Sequence, residues 1–258
     1  MIQTVQGVCF LFTFRLNIYL QIKKEMKALK TLFVAAFAIT GLTAAAQSAD
    51  EIIAKHIEAN GGMAKIASLN AVKMTGSISV QGMDIPLTIT KLHNKGYRLD
   101  LEIMGAANYQ LANEKEGWVF MPIQGMSEPK QMEQQQYDAT KQQLDVQGSL
   151  VNYKEKGKTV ETAGTDKVNG AEAFKLKVTN SKGDVSYYFI DAKTYQLVRM
   201  AEKTQVNGQD IDIETTFGDY KQTADGFWFP YSVTNMVGTV TIDKIEVNPA
   251  IDESIFKN

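Results

Sequence analysis

Apolar and polar residues alternate along most of the chain after residue 71. Between Tyr97 and Ile103 every second residue is apolar, and the three residues between them are charged. A similar alternation runs from Val72 to Val80, from Ile85 to Ile89 and around Phe217. A period of two is typical of strands that bury one face. The pattern therefore predicts a mainly β protein.

Short turn-forming sequences separate these segments and are typical of hairpins. Consecutive hairpins pair neighbouring strands antiparallel, and a sheet of about ten or eleven strands is large enough to curl. Because no linker or repeat period interrupts residues 47–258, we expect one domain there. The turn signals are Gln81-Gly82, Asn94-Lys95-Gly96, Asn169-Gly170, Lys182-Gly183, Asn207-Gly208 and Asp225-Gly226.

Two segments depart from the alternation. Ser48 to Leu69 has apolar residues at helical spacing, interrupted at Asn60-Gly61-Gly62, which predicts a helix, a break and a short second turn. Glu128 to Glu155 is rich in glutamine and does not alternate. We interpret it as one or two helices inserted into the sheet. The alternative is a solvated, glutamine-rich loop.

The stretch from Met26 to Ala46 has the three parts of a secretory signal peptide in order. Lys27 and Lys30 are the basic start, an apolar run follows, and three alanines precede Gln47. The run is shorter than the ~20 apolar residues of a membrane-spanning helix. We expect cleavage before Gln47, with residues 1–25 an upstream over-extension. No cysteine follows the run, so we expect a soluble periplasmic protein rather than a lipid-anchored one.

Charge and cysteine usage narrow the function. Residues 1–46 hold five of the 27 basic and one of the 29 acidic residues, which leaves residues 47–258 with a net charge of −6. Nucleic-acid binders need clustered lysine and arginine, so we exclude that class. The single cysteine, Cys9, precedes the expected cleavage site. The mature chain would therefore have no disulfide and no cysteine-bound metal.

The sequence offers little catalytic chemistry. Its two histidines, His56 and His93, lack the spacing of metal-binding motifs, and no nucleophile elbow or phosphate-binding loop is present. Asp210 and Asp212 share one strand face, which a solvated surface explains more simply than acid–base catalysis. We therefore predict no catalytic residues, no metal and no cofactor.

Several segments, in this order, resemble the LolA/LolB-like family of periplasmic lipoprotein carriers, most closely the outer membrane lipoprotein-sorting type of Bacteroidetes-like bacteria. The resemblance extends over about the whole chain after residue 46. It is carried by Asn60-Gly61-Gly62 with Lys73-Met74-Thr75-Gly76, the stretch from Tyr109 to Pro122, Tyr188 to Asp191 with Thr194 to Val198, Gly226-Phe227-Trp228-Phe229-Pro230, and the ending from Ile245 to Phe256.

The resemblance implies a curved antiparallel half-barrel of about eleven strands, with an N-terminal helix, an inserted helical lid after Pro122 and an apolar cavity for acyl chains. It implies a lipid or an acylated protein as ligand, and sorting components of the inner and outer membranes as partners. Carriers of this family place a lid-latching arginine near the start of the strand matched here by Leu92 to Leu99. This chain has His93 near that place, and Arg98 lies further along.

From these observations we expect a monomeric, non-catalytic carrier or chaperone for lipid or lipoprotein acyl chains. Methionine suits adaptable apolar surfaces, so we include two methionines of the lid. Alternation does not tell which face of the sheet is concave. An envelope sensor that uses the same fold to recognise a protein partner is the alternative. The residues expected to line the cavity are Leu87, Ile89, Leu101, Ile103, Trp118 and Phe120 from the strands, with Met126 and Met132 from the lid.

Overall fold

The computed structural model describes residues 47–206 and 209–258. The expected signal peptide, the starts at Met1 and Met26, Cys9 and the Asn207-Gly208 turn lie outside these residues. The strands are β1 (Ala71–Val80), β2 (Met83–Leu92), β3 (Gly96–Ile103), β4 (Ala106–Asn113), β5 (Gly117–Phe120), β6 (Lys130–Gln131), β7 (Thr159–Val168), β8 (Ala171–Thr179), β9 (Val185–Asp191), β10 (Leu197–Val206), β11 (Gln209–Gln222), β12 (Trp228–Thr234) and β13 (Thr239–Val247).

All thirteen strands belong to one open antiparallel sheet, in the order β6-β5-β4-β3-β2-β1-β13-β12-β11-β10-β9-β8-β7. The first strand pairs with the last, and Val72 lies opposite Val247. The mainly β prediction is confirmed, but the expected count of about eleven strands is too low. Strand β6 has only two residues and so no periodicity, and edge strand β7 exposes nearly all of its residues.

Helix α1 (Ala49–Ala59) begins at a capping box, in which the Ser48 hydroxyl accepts from the Glu51 N–H and the Glu51 carboxylate accepts from the Ser48 N–H. This arrangement satisfies two N–H groups that the first turn would leave free. Helix α2 (Met63–Ala67) follows the predicted break. The predicted N-terminal helix is confirmed.

The inserted segment contains helix α3 (Gln134–Lys141) and a 3₁₀ turn at Gln142–Leu144. The predicted inserted helix is therefore confirmed, whereas residues 145–157 form bends and turns rather than a second helix. Two further 3₁₀ turns lie at Pro122–Gln124 and Glu253–Phe256.

Helices α1 and α3 pack on the same face of the sheet, which we call the helix-bearing face. Ile52 and Ile53 of α1 pack against Leu176 of β8 and Ile190 of β9, and both strand residues are 0% exposed. Next to α3, buried Met132 and Tyr137 pack against Tyr97 of β3 and Ala112 of β4. Leu144 completes that cluster.

The opposite face is covered by the last 3₁₀ turn and by long basic side chains. Phe256 is 2% exposed and lies over Gly96, where any Cβ would come within 2.2 Å of the Phe256 ring. Arg98 donates to the Ile255 carbonyl at 3.0 Å. Further along the sheet, the Arg199 guanidinium stacks on Phe189 at 3.8 Å. Long basic side chains can cover apolar surface in this way while their charged ends stay in water.

Candidate functional site

The helix-bearing face has a part that the helices do not fill. Directly opposed residues of antiparallel strands put their side chains on one face. The register therefore aligns five apolar residues across five neighbouring strands, and all five are half-buried. We call them the open row: Phe217 (β11), Val233 (β12), Val240 (β13), Ile78 (β1) and Ile85 (β2).

Several positions in the rows beyond the open row are more buried than the open row itself. The next row contains Ile242 and Leu87, each 5% exposed, with Gly76 between them. Gly76 is required where β13 bulges, because a Cβ there would lie 2.0 Å from the Thr241 carbonyl oxygen. Two rows further on, Val72 is 1% exposed. The face thus changes from closed core to partly exposed apolar surface.

Exposed apolar side chains surround the end of the sheet next to the open row. We call it the turn end, because it carries the β1–β2, β3–β4 and β12–β13 turns. Met104 is 86% exposed and Met236 is 69% exposed. Large exposed apolar side chains elsewhere in the described residues include Met63 of α2. The exposed apolar residues at the turn end are Met83, Met104, Ile123, Met236 and Val237.

A depression of about 300 Å³ lies near the turn end of β2, β3 and β4. Leu87, Leu101 and Asn108 contribute to it, but most of its lining belongs to the opposite face of the sheet, including Pro86, Thr88, Asp100, Glu102 and Ala107. This volume is at the lower end of the range of roughly 300–1,000 Å³ for small-molecule sites. The depression is therefore not part of the open row.

The structure brings together only some of the residues expected to line a cavity. Leu87, Ile89, Leu101 and Ile103 share the helix-bearing face, as their register on β2 and β3 shows. Ile89 packs against the cluster that contains buried Met132. Met132 therefore lies in the closed core.

Trp118 and Phe120 lie on the opposite face. Trp118 is opposed to Leu111 and Phe120 to Tyr109, whose ring lies 5.6 Å from that of Phe120. Met126 is half-buried in the loop after the Pro122–Gln124 turn. Alternation identifies the two faces of β5 but not which of them carries the helices, so the sequence alone could not place these aromatic residues.

The sequence does not indicate that the members of the open row form one surface. The alternation of its members is visible, but their contact depends on the pairing of β1 with β13, and those strands are about 160 residues apart. Hairpin signals predict pairing only between strands that follow one another in the chain. No local sequence signal predicts the pairing of β1 with β13.

A polar cluster lies under the inserted segment and centres on Asp145. Its carboxylate accepts from Lys156 at 2.6 Å and lies 3.9 Å from Nδ1 of His93. The same His93 nitrogen accepts from the Val146 N–H at 3.3 Å, and Lys91 donates to the Gln143 side-chain oxygen at 2.8 Å. Burial lowers the pKa of His93, and the Asp145 charge partly offsets that effect.

The other histidine is held by structural contacts. Nδ1 of His56 donates to the Tyr195 carbonyl at 2.7 Å, and burial lowers its pKa. No group of three or more His, Cys, Asp or Glu residues in the described residues is placed to hold a metal ion. Within the same residues, none of the helices is both long enough and apolar enough to cross a membrane.

No protein-family model and no curated protein sequence matches the chain. Solved structures match it in fold. A LolA superfamily protein from Nitrosomonas europaea is 12% identical with a TM-score of 0.52, covering 83% of this chain and 99% of that protein. A domain from Vibrio parahaemolyticus, described as an outer membrane lipoprotein-sorting protein, is 14% identical with a TM-score of 0.51, covering 80% and 94%.

A DUF1329 family protein from Desulfovibrio piger is 11% identical with a TM-score of 0.54, and the match covers 80% of this chain and 95% of that protein. The match to structures of the LolA superfamily confirms the resemblance at the level of the fold. At these identities it carries no residue roles, since one fold supports several functions.

Proposed function

We propose that the protein is a periplasmic binding protein or carrier for lipid or for the acyl chains of lipoproteins, without a catalytic role. The observation that carries this proposal is the open row, a line of five half-buried apolar side chains next to a closed core on the same face. A contiguous apolar surface of this kind on a folded protein often marks a binding site.

The energetics favour an apolar ligand. Moving apolar surface out of water contributes about 25 cal/mol per Å², or about 0.8 kcal/mol for each buried methylene group. An acyl chain laid across the open row would bury its own methylene groups and the exposed parts of Phe217, Val240 and Ile78. The sheet supplies this surface ready-made, so that little protein ordering opposes binding.

The turn end supports the same function. Met83, at the start of β2, and Met104 and Met236, in two turns, are exposed beside the open row. Methionine side chains are flexible and polarisable, so they adapt to apolar partners of different shape. We propose that an acyl chain enters from this end, and that the curved sheet holds it on its concave, helix-bearing face.

The inserted segment is proposed to act as the lid. His93, near the place of the latching arginine in LolA carriers, contacts this segment through the Val146 N–H. The Asn94 N–H also donates to the Leu144 carbonyl at 2.9 Å. These bonds tie the β2–β3 turn to the segment. Of the residues expected to line the cavity, Leu87, Ile89, Leu101 and Ile103 remain part of the proposed site, with Met126 at its margin.

The proposal is tested by protein purified from its own host and analysed by native mass spectrometry, together with uptake of a fluorescent fatty acid. We expect a co-purifying lipid and saturable uptake. Val240→Asp should reduce uptake strongly, because it places a charge in the middle of the open row.

Thr241→Asp is the matched control, since Thr241 is the next residue of β13 and faces the other side. Uptake should be nearly unchanged in that variant. If no lipid co-purifies and the fluorescent fatty acid does not bind, or if Thr241→Asp impairs uptake as much as Val240→Asp, the proposal is wrong.

Three expectations from the sequence remain predictions: cleavage before Gln47, a single domain over residues 47–258, and a monomer. Sequencing of the N-terminus and light scattering of the protein from its own host would check them. Export to the periplasm would be checked by fractionation of the same cells.

A further inference from the structure

Lys91 interrupts the apolar rows of the helix-bearing face. Across the sheet, Lys91 lies between Val72 of β1 and Tyr97 of β3. Along β2, it follows Ile85, Leu87 and Ile89 on the same face. From Ile85 to Lys91 the strand rises about 20 Å, the length of an extended acyl chain. Leu87 is buried and Ile89 packs under the inserted segment, so a chain from the open row would bring its head to this lysine when that segment, the proposed lid, moves aside.

Lys158 lies beside the same polar cluster. Its ammonium hydrogen-bonds the Ser149 hydroxyl, and that hydroxyl also bonds the Tyr188 hydroxyl. Tyr188 is on the helix-bearing face, opposite Met200 of β10. Lys158 and Lys91 both interact electrostatically with Asp145, so both amines belong to the cluster around this carboxylate.

The cluster has more positive than negative charge. Three lysines lie near Asp145, whose closest ion pair is with Lys156 at 2.6 Å, and Glu202 adds a second negative charge near Tyr188. In the part of the chain that the structure describes, Lys91 and Lys158 have no carboxylate within salt-bridge distance, and each bonds a neutral oxygen.

The two amines are also partly removed from water. Part of the Lys91 side chain is exposed, but many protein atoms lie close to its amine. This burial lowers the pKa of Lys91 to about 8, although the negative charge of Asp145 opposes the change. Burial likewise lowers the pKa of Lys158, with Asp145 opposing the change. A partly buried cation without a charged partner is costly, and an anion placed beside it offsets that cost.

We infer that Lys91 and Lys158 bind the anionic headgroup, a carboxylate or a phosphate, of an amphiphile whose acyl chain lies on the open row. The hydroxyls of Ser149 and Tyr188 supply further donors. This inference rests on the proposed function, because it assigns the polar end of the ligand whose apolar end the open row receives. It selects anionic amphiphiles over neutral ones.

The test compares two ligands with the same hydrocarbon tail, one anionic and one neutral, and an anion that has no tail. Binding of oleate, oleyl alcohol and inorganic phosphate is measured by calorimetry on the wild type, Lys91→Met/Lys158→Met and Lys91→Arg/Lys158→Arg. Lys175→Met is the control, because Lys175 is a half-buried lysine over Phe189 on the opposite face. Thermal unfolding of each variant verifies that it is folded.

We expect the wild type to bind oleate about tenfold more tightly than oleyl alcohol, as charge-assisted hydrogen bonds allow. The double methionine variant should lose this preference and keep its affinity for the alcohol. The double arginine variant and Lys175→Met should retain the preference, and phosphate alone should not bind measurably. If the double methionine variant does not fold, loss of the preference in Lys158→Gln alone is the expected result.

Equal binding of oleate and oleyl alcohol by the wild type would overturn the inference and leave the proposed function standing. Retention of the preference by the folded methionine variants would do the same. Phosphate binding as tight as oleate binding would also overturn it, because the cluster would then be a site for free anions. Binding of neither oleate nor the alcohol would contradict the proposed function itself.

Discussion

The covered core and the open row differ although they lie on one face of one sheet and share one sequence pattern. In the covered core, Leu176 and Ile190 are 0% exposed because α1 and residues 150–153 pack on them. In the open row, Ile78 and Val240 have the same alternation and the same residue types but remain half-buried. The helix-bearing face is thus closed at the covered core and partly open at the open row, although both parts are apolar.

This difference indicates what the apolar residues of each part are for. Burial of Leu176 stabilises the fold directly, whereas the open row leaves part of its apolar surface in water and gains less. Such a surface is consistent with a ligand that completes the core. The comparison therefore separates residues whose substitution should cost stability from residues whose substitution should cost binding.

The largest expected effect is on stability in the covered core. Leu176→Ala should reduce the free energy of unfolding by about 3 kcal/mol, because it leaves a cavity among fully buried neighbours. Val240→Ala in the open row should cost about 1 kcal/mol or less, since its site is already partly open to water. Chemical denaturation followed by circular dichroism measures both values. Equal losses would show that the two parts are packed alike.

The next effect is on binding. Phe217→Ala should weaken acyl-chain binding roughly tenfold, because a large part of the apolar contact is removed. Phe189→Ala is the control on the opposite face, where Phe189 is 2% exposed. That variant should lose stability but bind normally while folded. Fluorescent fatty-acid titration distinguishes the two, and a reversed result would place the ligand on the other face.

The sequence predicted the strands far better than the surfaces they form. Alternation in β2 and β3 correctly placed Leu87, Ile89, Leu101 and Ile103 on one face, because both strands belong to a tight hairpin. It could not place Trp118, because β5 has only four residues and its pairing, not its composition, decides which face each side chain takes. The sequence does not predict the open row, because the row depends on the pairing of β1 with β13, which are far apart in the chain.

A smaller effect on stability is expected at helix α1, which covers part of the helix-bearing face. Ser48→Ala should lower the free energy of unfolding by about 1 kcal/mol, because the capping box of α1 loses its hydroxyl acceptor. Binding to the open row should not change, since α1 packs on β8 and β9. Denaturation and fatty-acid titration of the same preparation check both statements. A loss of binding in this variant would connect α1 to the ligand site.

The last expected effect is a pH dependence at Lys91, in the row of the helix-bearing face that contains buried Val72. The pKa of Lys91 is about 8 in the folded protein and 10.5 as an ordinary lysine, so the unfolded chain binds more protons between these values. Stability relative to Lys91→Met should therefore be lowest below pH 8 and should rise as the pH increases toward 10.5. The groups near this amine are Asp145, Gln143 and the Tyr97 ring.

Urea denaturation of the wild type and Lys91→Met across this pH range measures the change. Lys175→Met serves as the control for loss of a lysine on the opposite face. A difference between wild type and Lys91→Met that stays constant with pH would mean that burial does not perturb the Lys91 amine.

The most direct test of the central claim is photo-crosslinking with a long-chain fatty acid that carries a diazirine on its tail, followed by peptide mapping. We expect labels in β1, β2, β11, β12 and β13 at the open row, with competition by unlabelled fatty acid. Labels concentrated on the opposite face near Trp118 and Phe120, or labels that excess fatty acid does not reduce, would contradict it.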